Sequence, residues 1–182
     1  MSPHILVVGG TGMLRDLVEA LAGDGGRLSL LCRRASAFRR GGVRGYDCDY
    51  YDDAAFRRAL DLACAHAGPV ELAVAWFHTL KIAAPRRLAE RVGEDGAPGR
   101  LFQVLGSASV DPAHPERLAA AAQVADGLPT CALRQVVLGF RVEPGRSRWL
   151  TNGEISEGVL RAVRHDLALS VVGQAEPWSA RP

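Results

Sequence analysis

The sequence has little lysine, no long apolar run and no strong excess of either charge. Its 182 residues include 22 basic and 20 acidic side chains, for a formal charge of +2, and Lys81 is the one lysine. Because the arginines are scattered and nearly balanced by acids, the composition argues against nucleic-acid binding and favours a small-molecule ligand. The longest apolar runs, 5–8 and 70–77, are far below the roughly 20 residues that span a bilayer, so we expect no membrane segment.

The sequence also lacks closely spaced cysteine pairs and a leader-like start. The four cysteines form no Cys-x-x-Cys motif, which gives no indication of a metal site or a redox dithiol and favours reduced, partly buried thiols. At the N-terminus, glycines at 9, 10 and 12 interrupt the first apolar run, so no secretory signal pattern forms. A cytoplasmic location is therefore expected.

Seven short runs rich in Val, Leu and Ile predict strands. They lie at 4–8, 27–32, 43–47, 70–75, 100–105, 130–138 and 168–172, and stretches with helical spacing separate most of them. Strands without polar alternation that alternate with helices are typical of a parallel sheet covered on both faces. The sequence therefore predicts a single α/β domain, 1–173, with a doubly wound parallel sheet (Rossmann fold) of about seven strands, and a loosely held tail, 174–182.

A glycine-rich segment joins the first strand to the first helix, where backbone amides and a helix N-terminus can bind a pyrophosphate. Gly9 would allow the tight turn, and Gly12 would let a phosphate approach the backbone. The residues expected to contact a cofactor there are Gly9, Thr11, Gly12, Met13 and Leu14. The third small residue of the dinucleotide fingerprint falls at Arg15. Its side chain must therefore point outward and reach a phosphate oxygen, or obstruct the site.

The segment after the second strand predicts which dinucleotide binds. In proteins that bind NAD an acidic residue there contacts the ribose hydroxyls, whereas residues 32–36 contain none. Arginine at that place can pair with a 2′-phosphate, so Arg33 and Arg34, aided by Ser36, favour NADP. A solvated basic loop is the alternative.

The order of these motifs over 4–172 resembles the short-chain dehydrogenase/reductase family in a shortened form. The resemblance implies a Rossmann sheet, an adenine site at Asp49 and Tyr50, and a turn near the nicotinamide at Gly139. It also implies a serine that orients a substrate carbonyl, for which Ser107 and Ser109 are both candidates. Family members usually form homodimers or homotetramers, which is the expectation here.

The sequence departs from the family at its catalytic pair. The family uses a tyrosine acid followed four residues later by a lysine, and neither Lys81 nor any tyrosine has such a partner. Where the family has an Asn-Asn-Ala-Gly segment, bulky residues stand at 76–78. His78 is then the candidate proton donor, because histidine titrates near neutral pH. A substrate such as an iminium or an activated enone would need less help from an acid than a ketone.

Aromatic side chains and a basic segment complete the expected site. Trp76, Phe77 and Trp149 are candidates for the wall of an apolar pocket at the carboxyl edge of the sheet, with core packing as the alternative. The segment 141–149 either closes over a ligand or forms a solvated loop.

Three functions remain open from the sequence. The leading hypothesis is an NADP(H)-dependent oxidoreductase of atypical type that reduces a small carbonyl or imine compound. The alternatives are a non-enzymatic NADP-binding sensor or scaffold, and a non-redox isomerase, cyclase or dehydratase that uses the same cleft.

Overall fold

The computed structural model describes residues 2–94, 96 and 98–182. The strands are β1 (His4–Val8), β2 (Arg27–Cys32), β3 (Val43–Asp47), β4 (Leu72–Trp76), β5 (Gly99–Gly106), β6 (Cys131–Leu138), β7 (Phe140–Glu143), β8 (Arg146–Trp149) and β9 (Leu169–Val172). The α-helices are α1 (Arg15–Gly23), α2 (Asp53–Ala67), α3 (Ala84–Arg91), α4 (Glu116–Ala122) and α5 (Asn152–Arg164). Short 3₁₀ helices lie at Ala35–Ala37, Ser107–Val110, Gln123–Ala125 and Trp178–Ala180.

Seven parallel strands form the central sheet, in the order β3-β2-β1-β4-β5-β6-β9. This confirms the predicted fold class and the seven strands, whose observed bounds lie within two residues of the predicted ones. The central strands β1 and β4 are almost wholly buried because helices cover both of their faces, which is why they lack polar alternation.

Two apolar layers hold the helices on the sheet. On one face α1 and α5 pack against Val7, Val74 and Phe102, with Leu17 and Val159 at the centre of the layer. On the other face α2 and α3 pack against the opposite sides of β1 and β4 through a separate cluster of buried residues. A doubly wound core of this kind leaves the carboxyl ends of the strands available for a ligand.

The crossovers through α1 and α5 have opposite hands. From β1 the chain moves to β2 on one side, and from β6 it moves to β9 on the other side, while both helices lie on the same face. Because nearly all parallel crossovers are right-handed, such a reversal is rare. It places α5 beside α1, where the Ser156 hydroxyl donates a hydrogen bond of 2.8 Å to the carbonyl of Met13 in the glycine-rich segment.

The segment 141–149 is not an irregular loop. It belongs to β7 and β8, an antiparallel hairpin in which Phe140 pairs with Trp149. The sequence signal was weak because charged residues fill half of the positions of the two strands. A Pro144–Gly145 turn joins them, and Gly145 has the positive φ of 80° that favours glycine.

The tail 174–182, expected to be loosely held, contacts the domain. Gln174 exchanges two backbone hydrogen bonds with Phe140, of 3.0 and 2.9 Å. Gly139 permits this approach because a Cβ there would collide with the Gln174 carbonyl. The chain then returns over the carboxyl edge of the sheet, and Arg181 reaches Ser107.

An ion-pair network fastens the hairpin to the start of α5. Glu154 and Thr151 form a capping box, with Thr151 N donating to Glu154 at 2.8 Å and Glu154 N donating to the Thr151 hydroxyl at 3.2 Å. Arg148 donates to both oxygens of Glu154, at 2.9 and 3.1 Å, and also to Glu143. Hydrogen bonds from Arg148 hold the pKa of Glu154 well below its ordinary 4.5.

Replacing Glu154 by Gln separates the charge of this network from its capping role. Glutamine still completes a capping box, so we expect a loss of about 1 kcal/mol, or about 2–4 °C in Tm, because the pairs are partly exposed. A carboxyl whose folded-state pKa is depressed stabilises the fold above its unfolded pKa, and this contribution is lost as pH falls through the folded-state pKa. The difference in Tm should therefore hold at neutral pH and shrink below about pH 4.5.

Thermal unfolding followed by circular dichroism checks this expectation. Glu157→Gln is the matched control, since Glu157 is an exposed acid on the same helix. A Glu154→Gln variant with unchanged Tm at neutral pH, or a difference that grows in acid, would contradict the role given to the network.

Candidate functional site

The candidate site lies where strand order reverses at the carboxyl edge of the sheet. The chain leaves β1 toward β2 on one side and returns to β4 on the other, so the ends of β1 and β4 flank a crevice. In open α/β sheets ligands bind at this point. The glycine-rich segment, the end of β2 and the end of β5 all border it.

Three glycines of the glycine-rich segment have distinct roles. Gly9 has φ of 79°, and a Cβ there would lie 3.0 Å from the carbonyl oxygen of Trp76. A Cβ at Gly10 would lie 2.7 Å from Val18 and 2.8 Å from Leu30, so Gly10 allows α1 to pack closely on the sheet. A Cβ added at Gly12 would meet nothing within 4 Å, so the backbone there faces open space where a phosphate could approach.

The start of α1 is open to an anion. Its N-cap residue Leu14 provides no side-chain cap, so amides of the first turn lack that partner. The helix dipole adds a partial positive charge at the same place. Among the other residues expected to contact a cofactor here, Thr11 is exposed and its hydroxyl lies 3.6 Å from the Cys32 sulfur, while Met13 is half-buried. The Leu14 side chain is fully buried, so only its backbone could contribute.

Arg15 points outward, as it must if its side chain is to reach a phosphate oxygen instead of obstructing the site. Its side chain is 62% exposed, and its Nε lies 3.1 Å from Glu19 one helical turn further on. The guanidinium also covers the ring of Phe38 at 5.5 Å. Arg15 does not obstruct the open space at Gly12, and the close-packing role expected of a small residue at 15 belongs to Gly10.

Arg33 and Arg34 are both exposed at the end of β2. Ser36, expected to aid them, is already engaged. Its amide and hydroxyl donate to the Asp47 carboxylate at 2.7 and 2.6 Å, and these bonds lower the pKa of Asp47. The expectation that Ser36 binds a 2′-phosphate is therefore corrected, because an internal carboxylate occupies both of its donors.

Tyr50 and His78, expected in different parts of the site, form a pair. The Tyr50 hydroxyl lies 2.7 Å from His78 Nδ1 and accepts a bond of 3.4 Å from the His78 amide. Burial raises the pKa of Tyr50, with the His78 amide and the charge of Arg33 acting in the opposite direction. Asp49 beside it accepts a hydrogen bond of 3.0 Å from the amide of Tyr51.

A cavity of about 260 Å³ opens at the ends of β5 and β6. Its walls are mostly apolar and come from four strands, the 3₁₀ helix after β5, α5 and the tail: Trp76, Gly106, Ser107, Ala108, Leu138, Gly139, Trp149, Leu150, Ile155 and Arg181. Trp76 adjoins both the glycine-rich segment, beside Gly9, and the cavity, so its indole bounds the path between them. Of the aromatic residues expected to wall a pocket, Phe77 instead lies in the core beneath Tyr50.

The structure distinguishes the two serine candidates. Ser107 is 4% exposed, lines the cavity, and its oxygen accepts a hydrogen bond of 2.9 Å from Arg181 Nε. Ser109 donates its proton to the carbonyl of Gly106 at 2.7 Å and is not part of the cavity wall. A hydroxyl that accepts from a guanidinium keeps its own proton for a ligand, which favours Ser107. His78 also lies outside the wall, bonded to Tyr50, and its ring packs against that of Trp76 with the centroids 5.9 Å apart.

Arg181 and Trp178 are the residues that the sequence reasoning missed. The Arg181 guanidinium lies between the rings of Trp149 and Trp178, 5.0 and 5.1 Å from their centroids. The available signal was Trp178 itself, because a large aromatic side chain in a short polar tail usually finds a surface to pack against.

Other chemistry receives little support from the described part of the chain. Within it there is no group of three or more His, Cys, Asp or Glu side chains placed to hold a metal ion. Burial raises the pKa of Cys48 to about 12 and that of Cys131 to about 11, so both thiols stay protonated and are poor nucleophiles. None of the described helices has the length and apolar character needed to cross a membrane.

Comparisons with known proteins identify the fold and nothing finer. No protein-family model matches the chain, and no curated protein matches it. Solved structures do match. A SCOR enzyme from Clostridium thermocellum in its apo form has a TM-score of 0.73 at 14% identity, covering 98% of this chain and 94% of that one.

A short-chain dehydrogenase from Streptomyces avermitilis has a TM-score of 0.69 at 17% identity, and the match covers 96% of this chain and 89% of that one. A variant of actinorhodin polyketide ketoreductase with NADPH has a TM-score of 0.66 at 15% identity, and the match covers 94% of this chain and 96% of that one. The chain therefore has the fold of short-chain dehydrogenase/reductase structures over nearly its whole length.

Proposed function

We propose that the protein is an NADP(H)-dependent oxidoreductase that reduces a small carbonyl or imine compound. The observation that carries the proposal is the open backbone at Gly12 before an uncapped α1, with the exposed cations Arg33 and Arg34 at the neighbouring strand end. Backbone amides there suit a pyrophosphate and the arginines suit a 2′-phosphate. The neighbours with the same fold include one solved with NADPH.

The residues present fit a dinucleotide along the whole edge. The segment 9–14 would hold the pyrophosphate, Arg33 and Arg34 the 2′-phosphate, and Asp49 with Tyr50 would border the adenine. The cavity beside Gly139 would take the reactive end together with substrate, since it begins where Trp76 meets the glycine-rich segment. When bound, NADPH would supply the hydride.

The side chains of the cavity determine which substrates suit it. Ser107 and Arg181 are the polar side chains in its wall, and neither is an acid that releases a proton at neutral pH. Their donors can hold and polarise a carbonyl oxygen, which is the interaction that stabilises negative charge as it develops there. An activated enone, whose oxygen these donors can hold and which needs little acid help, fits this wall better than a simple ketone, with water providing the proton at the cavity mouth.

Ser107→Ala tests the proposal against its alternatives. The purified protein is given NADPH and a panel of small enones, imines and activated ketones, and oxidation is followed by absorbance. With a substrate found in this way, we expect Ser107→Ala to lower kcat/KM by about 100-fold, as loss of one oxyanion donor does. Ser109→Ala should stay within about threefold, because its hydroxyl serves the Gly106 carbonyl.

Two outcomes would overturn the assignment. Tight NADPH binding without oxidation by any substrate class would favour the sensor or scaffold. Turnover that Ser107→Ala leaves unchanged would move the chemistry away from the cavity.

A further inference from the structure

The tail places one cation at the mouth of the cavity. The Arg181 guanidinium lies over the rings of Trp149 and Trp178, and its Nε donates a hydrogen bond to Ser107. These contacts restrict an otherwise exposed side chain, while its terminal nitrogens remain as donors. A guanidinium restricted in this way loses less conformational freedom when it binds an anionic oxygen.

This cation lacks an internal counter-ion among the described residues. None of their carboxylates lies within 4.0 Å of Arg181. Two acids of the hairpin and α5, Glu143 and Glu154, both pair with Arg148. The structure thus neutralises Arg148 and leaves Arg181 available.

The remaining cavity wall indicates what accompanies the negative charge. Behind Arg181 and Ser107 the wall consists of apolar side chains: Trp76, Leu138, Leu150 and Ile155. One guanidinium matches a single negative charge, as in a carboxylate, which accepts two parallel hydrogen bonds. A phosphate monoester would bring close to two charges, and the wall has no second cation to match them.

We propose that the terminal nitrogens of Arg181 bind the carboxylate of a small apolar acid while the Ser107 hydroxyl keeps its proton for the carbonyl oxygen, so that the substrate class is carbonyl or imine compounds carrying a carboxylate. That the bound acid is a substrate rests on the proposed function, whereas the binding of the carboxylate by Arg181 does not depend on it. Arg181 is then a specificity-determining residue supplied by the tail 174–182. Removing the tail would remove the preference for acids without touching the glycine-rich segment.

Intrinsic fluorescence can report this binding directly. The chain has three tryptophans, and all three lie at this place: Trp76 and Trp149 in the cavity wall, and Trp178 against Arg181. The probes are benzoate and phenylacetate, each compared with its neutral isostere, benzamide or phenylacetamide, at constant ionic strength. The protein is titrated without NADPH, and inner-filter corrections are made with free tryptophan.

We expect each acid to bind at least about tenfold more tightly than its amide, the size expected for one partly solvated charge-assisted pair. Arg181→Gln should abolish the preference, and Arg181→Lys should retain only part of it, because a point charge cannot make the paired contact. Arg58→Gln is the matched control, an exposed arginine of α2 remote from the cavity wall. Thermal unfolding of each variant verifies that it is folded.

Equal affinity for acid and amide would overturn the proposal, as would unchanged affinity for the acids in Arg181→Gln. Absence of a saturable response to either acid at millimolar concentrations would overturn it too. None of these outcomes bears on NADPH binding, which the separate cofactor titration tests. Acid preference in a protein that fails to bind NADPH would keep the carboxylate site and reject the oxidoreductase.

Discussion

Gly12→Val should abolish NADPH binding while leaving the fold intact. The Gly12 backbone faces open space, so a Cβ added there meets no protein atom within 4 Å, and the position needs no left-handed φ. That same space is where a pyrophosphate must approach the amides. Losing two charge-assisted hydrogen bonds costs about 3–6 kcal/mol, so affinity should fall by at least about 100-fold.

A matched substitution separates this effect from a general response to valine. A Cβ added at Gly41 would also meet nothing within 4 Å. Gly41 lies at the opposite edge of the sheet, because the carbonyl of its neighbour Gly42 accepts a hydrogen bond from the Leu28 amide at the start of β2. Gly41→Val should bind NADPH as the wild type does. NADPH affinity retained in Gly12→Val, measured by calorimetry on protein of unchanged Tm, would remove the phosphate site from the glycine-rich segment.

Arg33→Asp should reverse the preference between the two dinucleotides. The substitution removes a cation from the 2′-phosphate and puts a carboxylate in its place. NADPH affinity should fall by about 30- to 100-fold, the size of one or two charge-assisted hydrogen bonds. NADH affinity should hold or rise, because a carboxylate at this strand end can accept from the ribose hydroxyls.

The control for charge is Arg40→Asp. Arg40 is exposed in the loop that leads to the start of β3, at the opposite edge of the sheet, and its reversal changes the net charge by the same amount. Calorimetric titrations of both variants with NADPH and NADH at one salt concentration give the comparison. An equal loss of NADPH affinity in both variants would show that the effect comes from net charge and not from a contact of Arg33 with the 2′-phosphate. Unchanged selectivity in Arg33→Asp would assign the 2′-phosphate elsewhere.

The fold could be predicted because its signals are local. Most strands of the parallel sheet are short apolar runs, with β3 the exception, and the start of α5 carries a capping box whose spacing, Thr151 to Glu154, is visible in the sequence. The glycine-rich segment was equally readable, since Gly9 and Gly12 keep the conformational roles expected of them.

The site could be predicted only in part because its remaining features depend on contacts distant in sequence. The Asp47 carboxylate, at the end of the neighbouring strand β3, accepts a hydrogen bond from Ser36. The Tyr50 hydroxyl forms a hydrogen bond with His78. The choice between Ser107 and Ser109 depends on Arg181, which lies 74 residues beyond Ser107. Nothing in the local pattern of any of these residues reveals its partner.

The hairpin of β7 and β8 was missed for a related reason. Its strands are stabilised by pairs among charged residues, such as Arg148 with Glu143, instead of by an apolar face. Apolar and charged residues do alternate in β7, but over only four positions, and β8 has one apolar residue, Trp149. The tail was missed because its attachment depends on backbone bonds between Gln174 and Phe140, which side-chain composition does not encode.

Calorimetric titration of the wild-type protein with NADPH and with NADH, at one fixed salt concentration, tests the central claim most directly. We expect saturable binding of NADPH, at least about tenfold tighter than that of NADH, because Arg33 and Arg34 add charge-assisted contacts to the 2′-phosphate. Equal affinities would contradict the assignment of those arginines. Absence of binding by both dinucleotides would contradict the oxidoreductase itself.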